Sequence, residues 1–170
     1  MSQTNELEIM ERIALDLERV EESLASSFNT GAEDFNALIR PLSAAGGKRL
    51  RAQLCLLIAN AGTSIERQRI KIAEAVEMLH LATLIHDDVL DQAEIRRGED
   101  TIHMHKGNKV AILSGDYLFA KAFKIVSEMT NMKYLQVFSH IITCLVEGEF
   151  MQMEDVYRID QGIERYMTKT

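Results

Sequence analysis

A chain of 170 residues with 46% hydrophobic content has enough apolar material to close a core, so a disordered polypeptide is excluded. A formal net charge of -7 excludes a general nucleic-acid binder, which presents a basic surface, and any anionic ligand must therefore be held by local clusters of cations. No stretch approaches the roughly 18 uninterrupted apolar residues of a membrane span, and the polar, acidic start from Met1 to Glu11 lacks an apolar signal core, so a cytoplasmic protein with no membrane span is expected.

One proline, nine glycines and almost no strand-like alternation predict an all-α fold. Met10, Ile13, Leu17, Val20 and Leu24 step by three and four along a first helix that ends near Asn29 to Gly31. A short helix covers Glu33 to Arg40 before Pro41 disturbs it, and a loop with Gly46 and Gly47 opens a third helix from Lys48 to Asn60, closed at Gly62. Thr63 with Glu66 reads as a capping box for a long helix reaching Asp91. Arg96 to Asn108 reads as a connection, followed by helices over Val110 to Met129 and Tyr134 to Met153. Cys55 and Cys144, far apart and inside apolar patterns, are expected to be reduced core residues.

The long helix ends on His86-Asp87-Asp88-Val89-Leu90-Asp91. Residues four apart share a helix face, so Asp87 and Asp91 can present two carboxylates to the same ions, and an oxygen-only acidic pair favours Mg²⁺. Asp88 points about 100° away and reads as a supporting group. Following the same face backwards gives Leu84 and His80, so a stripe that should be core turns polar. A solvated acidic helix end would show the same short motif.

Two cation clusters supply context. Gly46-Gly47-Lys48-Arg49-Leu50-Arg51 sets Lys48 and Arg51 on one side of a helix start, where backbone N–H groups also attract anions. An ordinary basic first turn is the plainer reading, although cations are the wrong sign for a helix N-terminus. Arg96-Arg97 follows Asp91 closely; such a pair is often a solvated surface feature, but beside a carboxylate-bound metal its guanidinium forks suit phosphate oxygens.

Taken together and in this order, Gly46 to Arg51, Leu79 to Asp91 and Arg96 to Gly98 resemble the trans-isoprenyl diphosphate synthases, or polyprenyl synthetases, over nearly the whole chain. The resemblance implies a helical bundle of the isoprenoid synthase type, with residues 1–170 forming the N-terminal portion of a single domain. It implies Mg²⁺ at Asp87 and Asp91, isopentenyl diphosphate at Lys48, Arg51, His80 and Arg97, and an allylic prenyl diphosphate at Arg96. Lys169 and Thr170 look like the family's Lys-Thr pair, which also contacts the allylic diphosphate. Gly148, Glu149 and Gln152 are expected to be packing or supporting residues. The family's second aspartate-rich motif has no counterpart, since Glu154, Asp155 and Asp160 lack the spacing, so this chain is expected to be part of a longer protein and inactive alone.

The implied reaction ionises the allylic C–O bond, after which the alkene of isopentenyl diphosphate attacks the carbocation and proton loss completes elongation. Short-chain relatives close the product tunnel with aromatics where this chain has Ala82 and Thr83, which implies a long all-trans product, heptaprenyl for example, for isoprenoid and quinone biosynthesis. A homodimer, or a heterodimer with a small regulatory subunit, is expected from the family. Three alternatives stay open: a class I terpene cyclase; a non-catalytic helical partner subunit, which would lack the aspartate motif; and a di-iron bundle, for which Glu77 and His80 have the spacing but no second copy exists. His86, His103, His105 and His140 read as surface or packing residues without a nameable partner.

Overall fold

The structure, a computed structural model, describes residues 3–28, 33–44, 47–62, 66–160 and 162–169. Its helices are α1 (Gln3–Ser27), α2 (Glu33–Ala44), α3 (Leu50–Ala61), α4 (Glu66–Leu90), α5 (Ile102–Lys106), α6 (Asn108–Ser127), α7 (Met132–Glu154) and α8 (Ile163–Lys169), with a hairpin of β1 (Ile95–Arg96) and β2 (Glu99–Asp100). The all-α expectation holds, and the hairpin is its one exception among the described residues. None of the described helices is long and apolar enough to cross a membrane. The chain divides into two compact units, Met1–Glu128 and Met129–Thr170.

In the first unit α4 is the central element, packed by α6, α3 and α1. Ala75, Met78, Ala82 and Ile85 of α4 and Ala111, Leu118 and Ala122 of α6 are all buried. Small residues dominate this seam and let the two helices approach closely. Gly115 shows how closely: an added Cβ would lie 2.2 Å from Nε2 of His86, whose ring packs on that glycine and donates to the Ile112 carbonyl at 3.1 Å. His86 is therefore a helix-packing residue with definite partners. Replacing Gly115 by Ala should lower stability by about 1–3 kcal/mol through overpacking, partly offset by about 1 kcal/mol of helix propensity. Thermal melting reads this as a drop of a few degrees, and an unchanged midpoint would mean the ring moves aside without cost.

The α1 stripe differs from its expected composition. Ile13, Val20 and Leu24 are buried, but Met10 is 63% exposed and Asp16 takes a core position instead. The reason lies on α4, where Arg69 donates through Nε and Nη2 to the two Asp16 oxygens at 2.7 and 3.2 Å. Further along, buried Glu74 accepts from Ser23, Ser27 and Lys71 at 2.7, 2.6 and 2.9 Å. The contact between α1 and α4 is thus partly a line of paired polar groups, which hydrophobic periodicity cannot register.

Pro41 does not end α2, which runs three residues further to Ala44. Proline loses one hydrogen bond to the preceding turn, but its fixed φ is helical, and the chain stays helical beyond it. Thr63, the expected cap of α4, lies outside the described residues, as do Gly46 and the expected end of α1 from Asn29 to Gly31. At the other end of α4, Gln92 adopts a left-handed φ of 53°. Its N–H bonds to Val89 and that of Ala93 to the Asp88 carbonyl at 3.0 Å, the paired closure of a Schellman motif. The expected connection from Arg96 to Asn108 contains the hairpin and α5, because Arg97 and Gly98, at φ 55° and 87°, satisfy a two-residue turn that needs positive φ at both places.

In the second unit α8, which the sequence pattern did not announce, packs against α7. An added Cβ on Gly148 would meet the Lys169 carbonyl at 3.0 Å, so this glycine serves close packing between the two helices. Cys55 is half-buried and Cys144 exposed; both are free, and neither is the core residue expected. Burial pushes the Cys55 thiol above its ordinary pKa.

Candidate active site

α4 ends at Leu90, but the N–H of Asp91 still bonds to the Asp87 carbonyl at 2.8 Å. The backbone therefore keeps Asp87 and Asp91 on one face, half-buried and exposed respectively. Asp88, read as a supporting group, has a buried carboxylate that accepts from Nε of Arg96 at 2.6 Å. Arg96, expected at an allylic diphosphate, is held by that carboxylate in this structure. The hairpin brings the two together by folding β1 back toward the helix end.

Lys48, Arg51, His80 and Arg97 do come together. They line one cavity of about 250 Å³, with Gly47 and Leu84 also in its wall. Arg97 reaches it from the hairpin turn, and its guanidinium lies 3.2 Å from where a Gly47 Cβ would stand, so a side chain at that glycine would crowd the cation. Leu84, His80 and the two aspartates follow one another along the same face of α4. A second cavity, about 730 Å³, opens between α2, α4, the hairpin and α5, with Leu38, Leu81 and Ile85 in its wall and Arg96 and Arg97 among its polar groups. Asp87 and Asp91 line neither cavity.

Arg51 contacts Nε2 of His80 at 3.1 Å. Arginine has only donors, so that nitrogen accepts and a neutral His80 carries its proton on Nδ1. Burial lowers the His80 pKa from 6.5; Arg51, Arg97 and Arg96 lower it further, and Glu77 opposes them. The unfolded chain thus binds this proton at a higher pH than the folded one. The stability contributed is complete above pH 6.5 and is lost as pH falls toward the depressed folded value.

α3 begins at Leu50, later than expected, because Arg49 adopts a left-handed conformation at φ 44° and ψ 37°. Its guanidinium turns inward, donating to both oxygens of Glu21 at 2.5 and 3.1 Å and approaching Glu77 at 3.5 Å. Burial alone would lower its pKa, but the two carboxylates raise it and keep it charged. Glu77 also accepts the Ala52 N–H at 3.0 Å. Part of the anion-binding capacity of the α3 N-terminus is thus already taken by a protein carboxylate, and the cavity must rely on side-chain cations. The same contacts occupy the glutamate that a di-iron reading would need.

Among the described residues no three metal-ligating side chains cluster. Magnesium needs fewer, since it keeps several waters and takes one or two carboxylates plus substrate phosphates, so Asp87 and Asp91 fit it as a donor set. In the second unit Lys169 pairs with buried Asp155 at 3.3 Å, and Arg165 donates to the same carboxylate at 3.0 Å. Arg165, then Lys169, hold the Asp155 carboxyl below its ordinary pKa. Thr170 lies outside the described residues. Gln152 and Glu149 are exposed. His105 lies 3.7 Å from Asp100, His103 contacts Thr101 at 2.9 Å and His140 approaches Cys144, so each has a partner that spacing did not reveal.

Residues 32–170 match the sequence pattern of the family described as polyprenyl synthetase. The chain is 37% identical over 155 residues to heptaprenyl diphosphate synthase component 2 of Geobacillus stearothermophilus, covering 91% of this chain and 48% of that protein. With octaprenyl diphosphate synthase of Escherichia coli it shares 33% over 159 residues, covering 94% and 49%. Among solved structures, a polyprenyl synthase from Caulobacter crescentus complexed with calcium and isoprenyl diphosphate superposes with a TM-score of 0.88 at 32% identity, over 95% of this chain and 49% of that one. The chain thus spans about half the length of the relatives it matches. With the pattern matching more than three quarters of its length, the chain belongs to the polyprenyl synthetase family.

Proposed function

We propose that residues 1–170 are the N-terminal portion of a single polyprenyl synthetase domain, in a transferase that condenses isopentenyl diphosphate with an allylic prenyl diphosphate. The observation that carries this reading is the gathering of Lys48, Arg51, His80 and Arg97 around one cavity, with Asp87 and Asp91 next along the same helix face. Lys48, Arg51 and Arg97 supply charge and forked donors for the diphosphate of isopentenyl diphosphate. His80, neutral and fixed by Arg51, offers a polar edge without adding charge. Arg96 reaches the allylic diphosphate by exchanging Asp88 for phosphate oxygens. Asp87 and Asp91 are the residues that would hold Mg²⁺, which would supply Lewis-acid stabilisation of negative charge on a diphosphate leaving group.

Ala82 and Thr83 lack the bulk that would close a product tunnel near the aspartates, which supports a long all-trans product of heptaprenyl class. A homodimer, or a pair with a small regulatory subunit, is the proposed assembly, and the cytoplasm the proposed compartment. One relative carries the words component 2 in its name. Incubating the intact protein with Mg²⁺, radiolabelled isopentenyl diphosphate and farnesyl diphosphate tests both levels. Products beyond farnesyl are expected on chromatography. Label left wholly unincorporated would remove the transferase reading, and cyclised hydrocarbon formed without isopentenyl diphosphate would point to a cyclase instead.

A further inference from the structure

We infer that Glu77 is a positioning residue for the isopentenyl diphosphate pocket: it fixes the first turn of α3 so that Lys48 and Arg51 face the cavity. Glu77 can act this way only if that cavity is the diphosphate site, the reading adopted above. Its carboxylate is 3% exposed and spends both oxygens on the entry to α3, one on the Ala52 N–H at 3.0 Å and the other toward Arg49 at 3.5 Å. Arg49 in turn sits in a left-handed conformation that residues with a Cβ avoid, and it persists there because Glu21 and Glu77 hold its guanidinium from two helices. With the Arg49 guanidinium held by Glu21 and Glu77, Lys48 and Arg51 stand beside Arg49 in the wall of the cavity.

The sign of the expected effect separates positioning from simple charge. Glu77 is a carboxylate in the wall of an anion pocket, so by charge alone Glu77→Gln should tighten diphosphate binding. Positioning requires the opposite, because the amide cannot accept from Arg49 with the same strength and the turn loosens. Calorimetry of the intact protein with isopentenyl diphosphate, without Mg²⁺, should show the dissociation constant rising about tenfold for Glu77→Gln, the factor expected for a lost charge-assisted hydrogen bond. KM for isopentenyl diphosphate should rise by the same factor, while kcat and KM for the allylic diphosphate stay within about twofold.

Arg49→Lys keeps a cation between Glu21 and Glu77 but loses the fork, and should weaken the same constant in the same direction; it carries the test if Glu77→Gln melts below the assay temperature. Unchanged or tighter binding overturns the inference, as does a loss confined to kcat. Arg51→Ala serves as the reference: if it also leaves the dissociation constant unchanged, the cavity is not the diphosphate site and the functional reading falls with it. Weakening by Arg51→Ala but not by Glu77→Gln or Arg49→Lys sinks the positioning role alone.

Discussion

Replacing Asp87 by Asn in the intact protein should cut turnover by on the order of a thousandfold or more, the scale of removing one electrostatic stabiliser of a transition state, with Mg²⁺ present. The substitution keeps the shape of the side chain and removes only its charge. Because Asp87 is half-buried at a helix end, stability should stay within about 1 kcal/mol of the parent. Asp91→Asn should behave alike. Asp88→Asn supplies the contrast, since that carboxylate is buried and holds Arg96 at 2.6 Å, so its loss should show first in thermal melting and only then in rate. Steady-state kinetics and melting curves on the three variants check the assignment. Near-parental rates for Asp87→Asn would remove the metal role, and a loss at Asp88 matching that at Asp87 would mean all three aspartates act on the ligand.

Asp16→Ala is expected to be the most destabilising single change in the first unit, by about 3–5 kcal/mol. It leaves the Arg69 guanidinium, itself 5% exposed, without its bidentate partner inside the contact of α1 and α4. An uncompensated buried charge costs far more than the pair contributes when intact. Changing both members, as in Asp16→Leu with Arg69→Met, should therefore recover most of the loss. Denaturant midpoints at equal m-value measure both variants. If the single variant loses under about 1 kcal/mol, water reaches Arg69 and the pair is not truly desolvated.

The helices were largely legible because their signals are local. Apolar residues at helical spacing announced α1, α4, α6 and α7, and the four- and three-residue steps from His80 to Asp91 fixed which side chains share a face. Lys48, Arg51, His80 and Arg97, separated by up to 49 positions, could be grouped from residue chemistry and from resemblance to a family whose order of motifs they follow. All four line one cavity.

Other features depended on partners remote in the chain. Nothing in the periodicity of α1 distinguishes Asp16 from a surface aspartate, and nothing near Glu77 indicates that it would grip Ala52 and Arg49 and not stand beside His80 in an ExxH pair. Asp88 and Arg96 are eight apart, yet they meet only because Arg97 and Gly98 accept positive φ and turn β1 back. Pro41 was misjudged because proline's fixed φ is itself helical, so the bond it loses to the preceding turn does not by itself end a helix.

Residue spacing alone was enough to establish an all-helical protein with two carboxylates one turn apart and cations before and after them, because helix faces repeat every few residues. Which of those charges stay available and which are spent on the fold was settled only by packing. A buried ionic group is stable solely through its counter-charge, and for Arg49, Arg69 and Asp88 that counter-charge comes from another element.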